Sequence, residues 1–336
     1  MPKKFKRRNK TVTLNTEIPQ AFWDRLGLIV GEKNLDTIGS TFFQKPSTFR
    51  VNTIKAKKEE IIKALHDLGF KMEEVSWNPG AYILQNKTKR EVIDLPLYAE
   101  GKIYMQSLAS MVPPLVLNPQ AGEKILDLTA APGSKTSQMA AMMGQKGELI
   151  ANDNSKIRFF KLKHNMELLG VTEEKENWNF TLRQEDGSDL CGDHIGYFDK
   201  ILVDAPCGAE ARFLEEDPKT FGYWNEKKVK EMAMKQRKLL FSAWYALKPG
   251  GTLVYSTCTF APEENEVQIS RLLQRFPEEA EIQDISNVFS SIKHLPGMPA
   301  WKEKVFHKDI TKAVRIFPTT EIEGFFIAKI KKNILE

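Results

Sequence analysis

The pattern of apolar and polar positions divides the chain into two parts. From Gly122 onward, apolar runs with the composition of buried strands recur at 124–128, 147–152, 179–184, 199–204 and 252–257. Stretches with apolar residues at helical spacing separate these runs, at 135–143, 156–169 and 226–247. Alternating strands and helices predict a doubly wound parallel sheet, an α/β fold. Two β-rich runs, 313–317 and 324–330, predict an antiparallel hairpin at one edge of that sheet.

The first part of the chain follows a different pattern. Residues 11–45 have the spacing of short helices, and the next forty residues alternate as β-α-β-β, at 48–53, 57–68, 71–75 and 81–85. Such a small α+β sheet is often used to hold RNA, although it could also serve as a structural lid. Ser107–Leu117 predicts a helix interrupted by Pro113-Pro114, so we place the domain junction near residue 115. The expected organisation is a basic tail at 1–10, an N-terminal α+β RNA-binding domain at 11–115 and a larger domain at 116–336.

Charge is concentrated at the N-terminus. The 336 residues carry a formal net charge of +5, yet residues 1–10 alone hold six lysines and arginines and no acid. Without those six, the bases and the 44 acids of the chain nearly balance. A basic tail can follow phosphates without reading sequence. The alternatives are an idle solvated end or an organelle-targeting segment.

Composition excludes several classes of protein. An odd count of three cysteines argues against a disulfide framework and favours a reducing compartment. Cys191 and His194 have a ligand-like spacing, but no second pair follows, so we expect no metal site. Since no stretch approaches the ~20 apolar residues that span a bilayer, we expect no membrane partner. The sequence predicts a cytoplasmic, monomeric protein.

Two cysteines follow predicted strands directly. Cys258 ends the run Leu253-Val254-Tyr255-Ser256-Thr257-Cys258, and Cys207 follows Val203-Asp204-Ala205-Pro206. Open α/β sheets bind ligands at the carboxyl ends of their strands, so both thiols should face one crevice. Either cysteine alone could be a small buried hydrophobic residue. The two positions together predict a nucleophile.

A loop of small residues follows the first strand of the larger domain and leads into a helix; it consists of Thr129, Ala130, Ala131, Pro132, Gly133, Ser134 and Lys135. Small side chains let a ligand reach the amides at a helix N-terminus. The loop has neither a Walker A nor a dinucleotide pattern, so it does not imply a pyrophosphate. Asp153, at the end of the next strand, could accept hydrogen bonds from a ribose, and Asp186 could accept one from an adenine amino group. A helix cap and a turn are the respective alternatives.

These segments carry a resemblance. Asp127-Leu128-Thr129-Ala130-Ala131-Pro132-Gly133-Ser134-Lys135-Thr136, Asp204-Ala205-Pro206-Cys207 and Tyr255-Ser256-Thr257-Cys258-Thr259 are similar in order and spacing to the motifs of the Sun/Fmu (RsmB/RsmF-like) RNA cytosine-5 methyltransferases. The likeness extends to Arg50-Val51-Asn52, Gln236, Glu263-Glu264-Asn265-Glu266 and Gly324-Phe325-Phe326-Ile327-Ala328. Longer relatives carry a further C-terminal RNA-binding domain, for which this chain has no room.

The chain departs from the family pattern at three places. Thr129 replaces a usual cysteine and Ser134 a usual glycine, which matters little in a loop lined by backbone. Cys207-Gly208-Ala209-Glu210-Ala211 stands where Cys-Ser-Gly-x-Gly is usual. Because this loop lies beside the target base in the family, the change bears on the choice of substrate.

The resemblance implies a Rossmann-like class I methyltransferase domain that binds S-adenosylmethionine through the loop 129–135, Asp153, Asp186 and Asp204. It implies Cys258 as the nucleophile, Cys207 as the helper in product release, and ribosomal or transfer RNA as the partner. The chemistry adds two hypotheses, because a thiolate must add to cytosine C6 before C5 can be methylated. Lys135 could favour that thiolate, and Asp204 could bind the N3/N4 edge of cytosine.

Two other classes of function remain open at this point. A methyltransferase of exocyclic amines, proteins or small molecules would need the cofactor loop but not two thiols at strand ends. A non-catalytic RNA-binding or assembly factor would keep the fold without the chemistry. Intact Cys207, Cys258 and Asp204 favour RNA cytosine-5 methylation over both.

Overall fold

The computed structural model describes residues 16–335, so the basic tail predicted at 1–10 lies outside the described residues. A small antiparallel sheet comes first, with β1 at Thr48–Val51, β2 at Met72–Glu74, β3 at Ala81–Leu84 and β4 at Ile103–Met105. The strand order is β2-β3-β1-β4. The sequence pattern predicted the first three strands. It did not predict β4.

Five helices accompany this part of the chain: α1 at Gln20–Val30, α2 at Glu32–Gly39, α3 at Lys58–Asp67, α4 at Lys89–Ile93 and α5 at Pro96–Ala99. Helix α3 covers the small sheet, where Ile61 and Leu65 join a core with Phe49 and Tyr82. Helices α4 and α5 lie between β3 and β4. A capping box between Thr88 and Glu91 starts α4.

Helices α1 and α2 pack away from the small sheet. Phe22 and Phe42 contact Phe213, with ring centroids 5.0 and 6.5 Å away, and Phe22 meets Trp224 edge to face. Phe42 also lies 6.3 Å from Phe260. These partners follow Cys207 and Cys258 in the chain. The first described residues therefore form one wall of the region that holds both thiols.

Helix α6, at Leu108–Leu117, runs without a break through Pro113-Pro114, so the predicted interruption is wrong. Prolines lack the N–H that would bond a carbonyl one turn earlier. Here the Ser110 carbonyl accepts a hydrogen bond from Gln106 Nε2 at 3.1 Å instead. The helix is buried against the larger sheet, where a side chain can replace the lost backbone donor.

The larger sheet has nine strands: β5 at Lys124–Asp127, β6 at Gly147–Asn152, β7 at Trp178–Arg183, β8 at Phe198–Asp204, β9 at Leu247–Thr257, β10 at Ala280–Gln283, β11 at His294–Pro296, β14 at Val314–Ile316 and β15 at Phe325–Lys332. The order is β11-β14-β15-β9-β8-β5-β6-β7, with β10 paired to β15. Strands β5 to β9 are parallel, whereas β14 and β15 are antiparallel. A separate two-residue hairpin joins β12, Ala300–Trp301, to β13, Lys304–Val305.

Helices cover both faces of this sheet: α7 at Ser134–Met142, α8 at Lys156–Leu168, α9 at Gly187–Gly192, α10 at Glu226–Ala246 and α11 at Glu266–Arg275. Met139 and Leu162 belong to the apolar core on one face, and Leu240 and Leu272 to the core on the other. The prediction of a doubly wound α/β sheet with an antiparallel hairpin is confirmed, because β5 to β9 pair in parallel under helices on both faces and β14 pairs antiparallel with β15.

Arg50 and Asn52 join the small sheet to the larger domain. Arg50 Nε donates to Gln106 Oε1 at 2.8 Å, and its guanidinium also donates to Ser137 Oγ near the start of α7. Asn52 Nδ2 donates to the Gly101 carbonyl at 2.8 Å and to the Leu169 carbonyl at 2.9 Å. The side chain of Asn52 is fully buried, so water cannot replace these bonds.

We expect Asn52→Ala to lower the free energy of unfolding by about 2 kcal/mol or more, because two buried carbonyls lose their donor. Asn86→Ala is the matched control. Asn86 also makes two hydrogen bonds to backbone, with Lys71 N and the Gly69 carbonyl, but it is exposed. Urea denaturation measures both variants, and equal losses would show that burial of the Asn52 bridge adds nothing.

Candidate active site

The two cysteines lie side by side because their strands are neighbours. Strands β8 and β9 run parallel, with Asp204 opposite Ser256, so the loops that follow them begin together. The Sγ atoms of Cys207 and Cys258 are 3.4 Å apart, within hydrogen-bond distance. Both side chains are half-buried. The geometry allows one thiol to donate a hydrogen bond to the other sulfur.

The pKa values of the two thiols move in opposite directions. The hydrogen bond from Cys207 lowers the pKa of Cys258 to about 7, and the charges of Arg212 and Lys135 act in the same direction against burial and Asp204. The same bond, together with burial, raises the pKa of Cys207 well above its usual value. Cys258 therefore has thiolate character near neutral pH, while Cys207 keeps its proton and donates it to the Cys258 sulfur.

Asp204 and Lys135 form an ion pair beside the cysteines. Lys135 Nζ lies 2.7 Å from Asp204 Oδ2 and 2.9 Å from Ser110 Oγ. Asp204 Oδ1 accepts a hydrogen bond from Ser256 Oγ at 2.8 Å. Because Asp204 largely neutralises Lys135, this lysine contributes less to the Cys258 thiolate than Cys207 or Arg212 does.

Arg212 is a charged residue of the site that the sequence did not single out. It ends a short 3₁₀ turn, Glu210–Arg212, that follows Cys207, and its side chain is exposed along the wall of the cavity. The charge of Cys258 is the main reason that the pKa of Arg212 rises above its usual value. Arg212 and Cys258 are far apart in the sequence, so only the folded structure shows that the arginine lies near that thiol.

Glu210 anchors the loop 208–211, which follows Cys207. Its side chain is 2% exposed. Oε2 accepts hydrogen bonds from Thr259 Oγ1 at 2.7 Å, Phe260 N at 3.0 Å and Ala261 N at 2.9 Å, and Oε1 accepts one from Trp224 Nε1 at 2.8 Å. The carboxylate therefore ties the loop after Cys207 to the loop after Cys258. Glu210 stands at the variable position x of the family pattern, so the departures in this loop are Gly208, Ala209 and Ala211.

Glu264 supports the same two loops from behind. Its Oε2 accepts hydrogen bonds from Gly208 N at 2.9 Å and Gln236 Nε2 at 2.7 Å. Burial, together with the charge of Glu210, raises the pKa of Glu264 to about 8. Gln236 also donates to the Pro206 carbonyl at 2.8 Å. The motif residues Gln236 and Glu264 thus position the Cys207 loop without reaching the cavity.

The adjacent residues of the acidic motif anchor the Cys258 loop. Asn265 accepts from Thr257 Oγ1 at 2.6 Å and donates to the Thr259 carbonyl at 2.9 Å. Glu266 forms a buried, bidentate ion pair with Arg315, whose guanidinium donates to the Phe260 carbonyl at 2.9 Å. The antiparallel strand β14 therefore helps to hold the Cys258 loop.

A cavity of about 700 Å³ connects the small-residue loop with both thiols. It is lined by nine of the residues that the sequence pointed to: Thr129, Ala130, Ala131, Pro132, Ser134, Lys135, Asp204, Cys207 and Cys258. Gly133 lies behind this lining with φ of +101°, and a Cβ there would come within 2.4 Å of Met166 Cε. Glycine is required for the close approach of the loop to α8.

Asp153 and Asp186 lie outside the cavity lining. Asp153 is buried; its Oδ1 accepts from Ser155 N at 3.0 Å, and its Oδ2 has no hydrogen-bond partner within residues 16–335. Arg158 covers it, with Nη1 3.3 Å from Oδ2. Asp186 is exposed, caps α9 through Ser188 N at 2.8 Å and lies 3.4 Å from Lys238 Nζ. A ligand could reach Asp153 only after Arg158 moves aside.

Within residues 16–335, no helix has the length and apolar composition to cross a membrane. The same part of the chain holds no group of three or more His, Cys, Asp or Glu side chains arranged to bind a metal ion. Cys191 is buried in the core below α10, and His194 Nδ1 lies 2.8 Å from the Leu190 carbonyl. These two residues take part in local packing.

The strand order and the small-residue loop at the end of the first parallel strand define a Rossmann-like methyltransferase fold. Residues 114–331 match the family model described as 16S rRNA methyltransferase RsmB/F, and the chain belongs to this family. The resemblance read from the motifs is thereby confirmed.

Relatives in the family are named for different RNAs. Ribosomal RNA small subunit methyltransferase F of Vibrio campbellii is 34% identical over 326 residues, which are 95% of this chain and 64% of that protein. The tRNA (cytosine(49)-C(5))-methyltransferase of Pyrococcus abyssi is 36% identical over 289 residues, 86% of this chain and 88% of the relative. A methyltransferase homolog protein from Pyrococcus horikoshii has a similar solved structure, with a TM-score of 0.79, 31% identity and coverage of 94% and 96%. The chain thus spans about two thirds of the length of the Vibrio relative.

The opposed pKa values predict how fast Cys258 reacts with iodoacetamide. We expect the alkylation rate of Cys258 to rise through an inflection near pH 7, because the thiolate forms there. Cys207→Ala should move the inflection to higher pH, because the S–H donor that favours the thiolate is lost. Cys207→Ser keeps an O–H donor and is the control.

Mass spectrometry of the peptide that contains Cys258 gives the rate at each pH. Cys191 does not interfere, because burial raises its pKa to about 12. An inflection that stays in place when Cys207 becomes alanine would contradict the assignment of Cys207 as the hydrogen-bond donor.

Proposed function

We propose that this protein is an S-adenosylmethionine-dependent RNA cytosine-C5 methyltransferase that acts on ribosomal or transfer RNA. The observation that carries the proposal is the pair of thiols 3.4 Å apart, one with a lowered pKa and one with a raised pKa. The names of the relatives support RNA as the substrate class and cover both kinds of RNA.

Cytosine C5 is a poor nucleophile, and the proposed role of Cys258 follows from that. The thiolate adds to C6, which breaks the C5–C6 double bond and places electron density on C5. When bound, S-adenosylmethionine supplies an electrophilic methyl group to C5. A water molecule in the cavity then takes the C5 proton, the C5–C6 double bond re-forms, and Cys258 leaves C6 as a thiolate. A methyltransferase of exocyclic amines needs none of these thiol steps.

Cys207 is proposed to act in the last step. Its thiol is protonated and lies in contact with the Cys258 sulfur. As the bond between Cys258 and C6 breaks, the departing thiolate can accept a hydrogen bond from Cys207, as it does in the structure. This stabilises the leaving group and assists release of the methylated base.

Asp204 and Lys135 are proposed to hold the cytosine ring. Each carboxylate oxygen of Asp204 has two acceptor sites and uses one, on Lys135 or Ser256, so each can accept a further hydrogen bond. The N4 amino group of cytosine is a suitable donor. The base must leave its stack to enter the cavity, which favours a loop or an opened helix as the target.

The residues present fit the methyl donor. The loop 129–135 lies along the same cavity as Cys258, so a methyl donor and acceptor could meet there. The buried Oδ2 of Asp153 has no hydrogen-bond donor within residues 16–335 and pairs only with the charge of Arg158, so it could accept from a ribose hydroxyl once Arg158 moves aside. Asp186 remains a proposed contact for adenine.

Asp153→Ala should weaken the binding of S-adenosylmethionine about tenfold or more, because one charge-assisted hydrogen bond contributes roughly 1.5–3 kcal/mol. Isothermal titration calorimetry measures the affinity without RNA. Asp189→Ala, which removes an exposed carboxylate on α9, is the control. An affinity equal to that of the wild type would remove Asp153 from the binding site.

The two cysteines make different predictions for a covalent RNA adduct. We expect Cys207→Ala, incubated with bulk RNA and S-adenosylmethionine, to accumulate a protein–RNA adduct that survives denaturing electrophoresis, because release of Cys258 is slowed. Cys258→Ala should form neither adduct nor methylated RNA. The double variant should form no adduct.

An adduct that persists in Cys258→Ala would assign the attack to Cys207 and keep the reaction class. Methylation that proceeds unchanged in Cys258→Ala, with no adduct in any variant, would exclude the cytosine-5 mechanism. Labelled S-adenosylmethionine measures methyl transfer in each case.

A further inference from the structure

One wall of the cavity is built from three loops that are far apart in the sequence. They are residues 41–45, 209–214 and 318–324, and each contributes side chains to the cavity lining. Lys45 Nζ donates to the Thr319 carbonyl at 2.7 Å and to the Thr41 carbonyl, which joins the first loop to the third. The wall is therefore held together by specific bonds.

Gly324 brings the second and third loops into contact. A Cβ at this position would lie 2.6 Å from the ring of Phe260 and 3.2 Å from the Cβ of Ala211. Only glycine allows so close an approach. The residues next to this contact, Glu323 and Arg212, both line the cavity that contains Cys258. Their side chains are thus neighbours on the wall.

Neither side chain forms an ion pair within 4.0 Å among residues 16–335, although the charge of Glu323 acts on Arg212 and on Lys45. Glu323 Oε2 is buried and has no hydrogen-bond donor within residues 16–335. In the same part of the chain Arg212 forms no ion pair within 4.0 Å, and its guanidinium is exposed along the cavity. The proposed function uses the charge of Arg212 only to lower the pKa of Cys258, and it gives no role to Glu323.

The target nucleotide offers a chemical partner to each of them. A cytidine that enters the cavity brings its phosphate and its ribose along with its base. A guanidinium binds a phosphate through two parallel hydrogen bonds, and a buried carboxylate oxygen needs a donor such as a ribose hydroxyl. The 2′-hydroxyl is the group that distinguishes RNA from DNA.

We propose that Arg212 and Glu323 form a subsite for the sugar-phosphate of the target nucleotide. Arg212 binds the phosphate, and Glu323 accepts a hydrogen bond from the ribose 2′-hydroxyl. The inference rests on the proposed function, because it assumes that a cytidine enters this cavity. It adds that the protein selects RNA over DNA at the target nucleotide itself.

The test uses three small probes that differ by one group: cytidine 5′-monophosphate, 2′-deoxycytidine 5′-monophosphate and cytidine. Each is titrated against alkylation of Cys258 by iodoacetamide, and the concentration that halves the rate gives an apparent affinity. We expect cytidine 5′-monophosphate to protect at about tenfold lower concentration than the deoxy form, which lacks one charge-assisted hydrogen bond, and at a concentration at least as much lower than cytidine, which lacks the phosphate.

Two variants separate the two contacts. Arg212→Gln should remove the advantage of cytidine 5′-monophosphate over cytidine, and Glu323→Ala should remove its advantage over the deoxy form. Affinities are compared within each variant, so a change in the reactivity of Cys258 cancels. Lys219→Gln and Glu321→Ala are the controls, because both residues are exposed and lie outside the cavity lining.

Equal protection by all three probes in the wild type would overturn the inference. So would a Glu323→Ala variant that weakens both monophosphates equally, because Glu323 would then contact the base. Protection by none of the probes would also overturn it. The adduct of Cys207→Ala with bulk RNA tests the proposed function separately, without any substitution at Glu323. If that adduct forms but the probes show no discrimination, the subsite is wrong and the proposed function stands. If the adduct does not form, the proposed function itself fails.

Discussion

The parallel pairing of β8 with β9 is the constraint on which the site depends. Asp204 and Ser256 are opposite each other, so the loops that carry Cys207 and Cys258 leave the sheet at one point. Glu210 then accepts hydrogen bonds from the Cys258 loop, and Glu264 from the Cys207 loop. Strand pairing sets the distance between the two loops, and the buried side chains of Glu210 and Glu264 maintain that distance. Two thiols can then share one proton at 3.4 Å.

The charged side chains near the two cysteines have different functions. Lys135 pairs with Asp204 and Arg315 with Glu266, whereas Arg212 lines the cavity and its charge lowers the pKa of Cys258. Removing a partner from a buried pair would leave an uncompensated charge, so these pairs restrict the positions of their loops. The net effect is a thiolate at Cys258 and a thiol at Cys207.

The small domain and the first two helices brace the cavity from outside. Arg50 donates to Gln106 and to Ser137 at the start of α7, directly behind the small-residue loop. Helices α1 and α2 pack on Phe213 and Phe260, which follow the two cysteines. The Arg50-Val51-Asn52 motif therefore has a structural role, because it connects the small sheet to α7, the helix that carries Lys135.

By itself the sequence determined the elements of the parallel sheet, the small-residue loop and the placement of two thiols at strand ends, because periodicity and strand-end position are local properties. It did not determine that α6 passes through Pro113-Pro114, since the replacement donor is the side chain of Gln106. Only the tertiary structure decided that Cys207 donates to Cys258, that Arg212 faces them, and that Arg158 covers Asp153. These contacts join residues far apart in the chain, and their energies depend on burial, which spacing along the sequence does not reveal.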